Sequence, residues 1–176
     1  MTSGSRNTAI DAIRHYRDVF KADERGIDTM HAGVMWYIVA LSHMIMADLE
    51  DLLKRYDLTP SDLFVIAVVL IEEGRNLRPS DVARILLVSP AAVSLKVAKL
   101  QQRGLLMREE DAKDRRIVVL RLTPDGAELA HRILAMVAAK GKFARSLRKL
   151  PVEDRNALES LLGNLSVEMR RHFAKY

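Results

Sequence analysis

Apolar residues at helical spacing along most of the chain, three hydroxyl-proline start signals and one short strand-like stretch predict a mainly α-helical fold with a small β-hairpin. Residues 9–20 carry a weak helical pattern on Ile10, Ile13, Tyr16 or Arg17, and Phe20, and the polar run 21–26 reads as a connection. Val34, Ile38, Leu41, Ile45, Leu49 and Leu52 then recur in steps of three and four, the signature of a long amphipathic helix. Thr59-Pro60-Ser61-Asp62 opens the next element: the hydroxyl caps free amides, proline suits the first turn, and the aspartate complements the positive helix end. The apolar run 63–71 alone fits a buried strand as well as a helix; the cap decides for a helix ending near Gly74. Residues 79–88 predict a short helix with Val82, Ile85 and Leu86 inward. Ser89-Pro90 starts another, which buries Val93, Val97 and Leu100 and stops at Gly104.

Beyond Gly104 the period changes. Residues 105–110 and 116–122 read as strands, the second alternating Val118, Leu120 and Leu122 against Ile117, Val119 and Arg121, with 111–115 as the polar tip. Thr123-Pro124-Asp125 opens a long helix to about Arg148, and Pro151 precedes a last one striped by Leu158, Leu161, Leu162, Leu165 and Met169.

Composition narrows the function. With no cysteine, a disulfide scaffold, an iron–sulfur site, a cysteine-ligated zinc finger and a thiol redox switch are all excluded. The five histidines show no ligand spacing, so no metal site and no cofactor is expected. No phosphate loop, dinucleotide fingerprint or nucleophile elbow occurs, and the carboxylates are scattered, so the chain does not read as an enzyme. Residues 1–7 contain no apolar signal core. The apolar stretches 34–46 and 63–71 read as interrupted by Ser42 and His43, or bounded by Glu72 and Glu73, and too short to span a bilayer. A soluble cytoplasmic protein with no membrane partner is the expectation.

Charge is concentrated. Between Arg78 and Arg121 lie ten basic and five acidic residues, which accounts for the whole net charge of +5 and leaves the remainder balanced; no acid occurs between Val82 and Arg108. A basic segment on a neutral scaffold fits either a polyanion-binding surface or a solvated basic face. The order of elements within that segment sharpens the choice. Two short helices across a tight turn, then a basic hairpin, is the winged helix-turn-helix plan: the second helix is narrow enough for a major groove, and an arginine-bearing tip reaches a minor groove.

Leu58-Thr59-Pro60, Pro79-Ser80-Asp81-Val82-Ala83, Val88-Ser89-Pro90-Ala91-Ala92-Val93-Ser94, Leu100-Gln101-Gln102-Arg103-Gly104-Leu105 and Asp111-Ala112-Lys113-Asp114-Arg115-Arg116, running into Leu122-Thr123-Pro124-Asp125-Gly126, resemble the multiple antibiotic resistance regulator (MarR) family over roughly residues 30–169. The resemblance implies a DNA-binding domain over 58–123 and a helical dimerisation region over 1–57 and 124–176. It implies a homodimer on a pseudo-palindromic operator in a bacterial, nucleoid-associated setting, most often as a repressor. Val34, Ile38, Leu41, Leu158, Leu161, Leu165 and Met169 would form the dimer interface, although the same stripes fit an ordinary monomeric core. Ser89 would cap the recognition helix; Ala91, Ala92, Ser94, Leu95 and Lys96 would face the groove, and Lys99 and Arg103 the phosphates. In the wing, Arg116 matches the minor-groove arginine, held by Asp114, with Lys113 and Arg115 on phosphates; a structural turn salt bridge is the plainer reading of Asp114 and Arg116. Leu95 departs from the family, where a polar side chain often stands, and offers apolar contact such as a thymine methyl.

Members of the family often release DNA on binding a small aromatic or phenolic compound. His31, Met35, Trp36, His43, Met44 and Phe64 are the candidate lining here, although methionines at helical spacing equally fit core packing. Phe64 stands where the urate-responsive subgroup carries an acid, which argues against urate. A non-sequence-specific architectural DNA binder is the alternative function; it predicts near-equal affinity for any duplex.

Overall fold

The computed structural model describes residues 15, 30–110 and 117–173; the helical pattern expected over residues 9–20 lies, His15 apart, outside them. Elements follow in the order α1 (Met30–Leu53), a 3₁₀ turn (Lys54–Tyr56), α2 (Pro60–Ile71), α3 (Pro79–Leu86), α4 (Pro90–Gln102), β1 (Leu106–Glu110), β2 (Val118–Leu122), α5 (Pro124–Lys140), α6 (Lys142–Leu147) and α7 (Val152–Phe173). The fold class is as expected: mainly α, with one antiparallel hairpin.

Two compact units divide between Ala47 and Asp48. In the first, α1 exposes Val34, Ile38 and Leu41 on one face. The helix runs through Ser42 and His43 as the spacing predicts, with the Ser42 hydroxyl donating to the Val39 carbonyl at 2.8 Å. The expectation that these residues leave the stretch too short or interrupted for a bilayer is corrected. By length and composition alone, His31–Tyr56 is long and apolar enough to cross a membrane.

The second unit is built around Leu53, Ile66, Leu100, Leu120 and Ile133, fully buried and drawn from α1, α2, α4, β2 and α5 in turn. Each such side chain contributes about 1.5–3 kcal/mol relative to an exposed position. Start signals work as read. Thr59 and Asp62 form a reciprocal capping box on α2, and Ser89 and Thr123 accept from the amides of Ala92 and Gly126.

β1 and β2 pair from Leu106 with Leu122 to Glu110 with Val118. The alternation expected of β2 is not followed: Val119 and Leu120 are both buried. One face of β2 meets the helices, while the Leu120 amide also donates to the Leu77 carbonyl at 2.8 Å, closing the other side against the preceding loop. Behind the hairpin, α5 begins so close to the chain at Leu105 that a Cβ on Gly126 would stand 1.9 Å from the Leu105 carbonyl oxygen.

The single helix expected from Thr123 to Arg148 is two. Gly141 ends α5, and the buried Asp48 carboxylate accepts from the Phe143 amide at 3.0 Å, supplying the cap that restarts the chain as α6. A Cβ at position 141 would come within 2.6 Å of the Val137 carbonyl oxygen. α7 follows with its leucine stripe exposed: Leu158, Leu161, Leu162, Leu165 and Met169 are not part of the core formed by the described residues. It is tied back by Arg170, which donates to the Ile85 carbonyl at 3.2 Å.

Candidate nucleic-acid interface

The reading head begins with α3, whose Asp81 carboxylate accepts from the Arg78 amide at 3.1 Å and from Arg84 at 2.9 Å. Leu87 closes α3 in the left-handed region (φ 55°), with its amide on the Ala83 carbonyl, and turns the chain straight into the Ser89 cap of α4. Pro90 then sets the first turn, and Val93, Val97 and Leu100 bury one face of α4 against the body. On the opposite face Ala91, Ala92, Ser94 and Leu95 are exposed, Leu95 at 74%.

The cations of α4 behave differently from that outward face. Lys99 Nζ donates to Asp62 Oδ2 at 2.9 Å, and Lys96 Nζ stands 3.4 Å from Asp62 Oδ1 and 3.4 Å from Thr59 Oγ1. Arg103 spends its guanidinium on the carbonyls of Asp57 (2.6 Å) and Tyr56 (2.7 Å). All three turn back onto their own chain, and Lys96 and Lys99 keep about a third of their side chains exposed (33% and 38%). Lys96 was expected among the groove-facing side chains; it lies half-buried at the edge of α2 because a buried acid draws it there.

Asp62 itself is fully buried. Its Oδ2 accepts from the Thr59 amide at 2.9 Å as well as from Lys99, while Oδ1 has no hydrogen bond and faces only the Lys96 ammonium. Burial pushes this carboxyl up, but the Thr59 amide and hydroxyl, Lys99 and Lys96 together outweigh it and hold it below the ordinary value. The sequence marked Asp62 only as a helix-start residue. Its second role depends on Lys96 and Lys99 lying one turn apart on a helix far along the chain, which no local pattern reports.

The hairpin carries the connection 111–116 between its paired strands; Lys113, Asp114, Arg115 and Arg116 lie outside the described residues. At its base Arg121 donates to the Arg75 carbonyl and to Asn76 Oδ1 at 3.1 Å and stands 3.7 Å from Glu109, so it braces β2 rather than facing outward.

The expected ligand-lining residues separate. His31, Met35, Trp36, His43 and Met44 are exposed on α1 of the first unit, where 100° per residue puts His31 with Met35 on one face, Trp36 with His43 on a second and Met44 on a third. Phe64 belongs to the second unit and lines an apolar cavity of about 140 Å³ with Val65, Leu86, Val88, Ala92 and Lys96, at the root of α4. Among the described residues no group of His, Cys, Asp or Glu has the arrangement of a metal site.

A capped helix entered by a tight turn from a short one, followed by a two-stranded hairpin, defines a winged helix-turn-helix protein. Residues 56–117 match the MarR family model. The chain is 29% identical over 130 residues to the HTH-type transcriptional repressor MdtR of Bacillus subtilis strain 168 (74% of this chain, 81% of MdtR). It is 30% identical over 118 residues to the HTH-type transcriptional regulator YhbI of the same organism (67% of this chain, 74% of YhbI). Its fold is shared with CouR from Rhodococcus jostii RHA1 bound to p-coumaroyl-CoA (TM-score 0.68, 22% identity, 75% of this chain, 90% of CouR) and with CouR bound to a 23-mer DNA duplex (TM-score 0.66, 22% identity, 80% and 98%). The chain belongs to the MarR family: it is a transcriptional regulator that binds DNA.

The Asp62 clamp predicts a pH signature. A carboxyl held low stabilises the fold fully above its unfolded value of 3.8, and that stability is lost as pH falls from there through the lower folded value. Asp62→Asn should therefore cost about 1–3 kcal/mol at pH 7, with the gap to wild type closing below about pH 4. Thermal unfolding of both proteins from pH 7 to 3 measures it; a gap that does not narrow at all over that range would show that the ion pairs are not its source.

Proposed function

We propose that the protein is a homodimeric, sequence-specific repressor that sits on a pseudo-palindromic operator and is released by a small aromatic compound. The observation that carries the reading is the outward face of α4, capped by Ser89 and presented beside the hairpin in the one basic segment of the chain. Ala91, Ala92, Ser94 and Leu95 face base edges. Lys96, Lys99 and Arg103 border the phosphates; an ammonium has three donors, so one bond to Asp62 leaves Lys99 two to give. Lys113 and Arg115 take phosphates, and Arg116, set by Asp114, enters the minor groove. The 58–123 region acts as the DNA-binding domain, and the flanking segments 1–57 and 124–176 join the subunits.

Dimerisation is supported by the exposed apolar stripes. Val34, Ile38 and Leu41 on α1 and Leu158, Leu161, Leu165 and Met169 on α7 are left uncovered by the other described residues, at helical spacing. Soluble monomers rarely leave such contiguous apolar surface open. A second copy of the chain covers it, which also accounts for an α1 apolar enough for a bilayer in a DNA-binding protein. Repression is supported by the name of MdtR, and an aromatic effector by the p-coumaroyl-CoA on CouR. Trp36 and His43, which share one face of α1, are the side chains proposed to hold it.

Selection of bound fragments from genomic DNA tests the core of this reading: it should return one palindromic motif bound about a thousandfold more tightly than random duplex. Arg116→Ala should weaken that operator by about ten- to a hundredfold with the dimer intact; unchanged affinity removes the wing from the mechanism. Leu161→Asp should give a monomer by sedimentation equilibrium, and a dimer of wild-type strength would put the interface elsewhere. Trp36 fluorescence should quench as phenolic acyl compounds displace operator DNA; displacement without any change in emission places the effector away from Trp36.

A further inference from the structure

Recognition helices usually read the major groove with long polar side chains, most often a guanidinium on guanine. Between Pro90 and Ala98, α4 has none to offer: its solvent face there is Pro90, Ala91, Ala92, Ser94, Leu95 and Ala98, with Leu95 the longest side chain, 74% exposed, and the exposed Gln102 comes only at the last residue of the helix. The cations that might have served are committed elsewhere: Lys96 and Lys99 are held at the fully buried Asp62, and Arg103 at the carbonyls of Tyr56 and Asp57. The clamp therefore holds two cations at the root of the helix, offset in part by one carboxylate, and leaves a small, apolar crest with one branched side chain standing out. An exposed leucine gains nothing against water, nor against the polar edges of guanine, cytosine or adenine. The C5-methyl group of thymine is the one apolar feature a base pair shows in the major groove.

We propose that Leu95 reads a thymine methyl group in each half-site of the operator and is the specificity-determining side chain of α4, with Asp62 as the positioning residue that withdraws Lys96 and Lys99 from the base edges. The inference rests on the operator reading above. Ser94 and the small alanines on either side permit close approach of the helix, which brings the leucine methyls within contact of the base.

Replacing thymine by deoxyuridine deletes the methyl and changes no hydrogen-bonding group, so it isolates this contact. The selected operator is rebuilt with single, symmetric replacements and titrated by fluorescence anisotropy against the full-length wild type, Leu95→Ala and Leu95→Met. At one position per half-site the replacement should weaken wild type by about four- to tenfold for each methyl lost. Leu95→Ala should bind both duplexes alike, and Leu95→Met should keep the preference. Wild-type affinity indifferent to every replacement overturns the inference while the operator stands, and so does Leu95→Ala discriminating as wild type does. A selection that yields no preferred duplex overturns the operator reading itself, and this one with it.

Discussion

A single carboxylate, closed off from water, joins the start of α2 to the middle of α4. Asp62 caps its own helix through the Thr59 amide and holds the ammonium of Lys99 at 2.9 Å, with that of Lys96 a little farther off. An unpaired charge at that depth is far too costly to tolerate, so the two lysines have to stay. The helix α4 is thereby fixed in rotation about its axis, since the lysines lie one turn apart and the same side must face Asp62. Its outward face follows from that rotation, the exposed leucine included.

Local signals were legible, and for a local reason. Thr59-Pro60, Ser89-Pro90 and Thr123-Pro124 each place a hydroxyl beside free amides within three residues, and all three start helices where the sequence says. The inward face of α4 was readable from spacing alone, whereas α2 needed its cap to be told from a strand. What escaped was tertiary in origin. Gly141 splits a helix because Asp48, nearly a hundred residues earlier, takes the Phe143 amide. β2 buries two consecutive residues, and its outer edge is taken by the Leu77 carbonyl, about forty residues earlier in the chain.

The candidate interface divides along the same line. Ser89 and the outward small residues of α4 could be named in advance, since helical periodicity fixes which side is buried. The inward turn of Lys96, Lys99 and Arg103 could not, because their partners lie about forty residues upstream. The stripes on α1 and α7 were visible as stripes, but spacing does not say whether the cover comes from the same chain. Their exposure answers that the other described residues do not provide it.

The tight seat of Gly126 has a consequence of its own. With the Leu105 carbonyl where a first side-chain carbon would stand, even the smallest substituent must push the start of α5 away from the strand that feeds the hairpin. A methyl there would tilt the base of the wing from behind while every side chain toward the duplex stayed unaltered. The geometry of the hairpin is thus set from the side away from its tip, by a contact with no charge and no hydrogen bond, where one added methyl has nowhere to go.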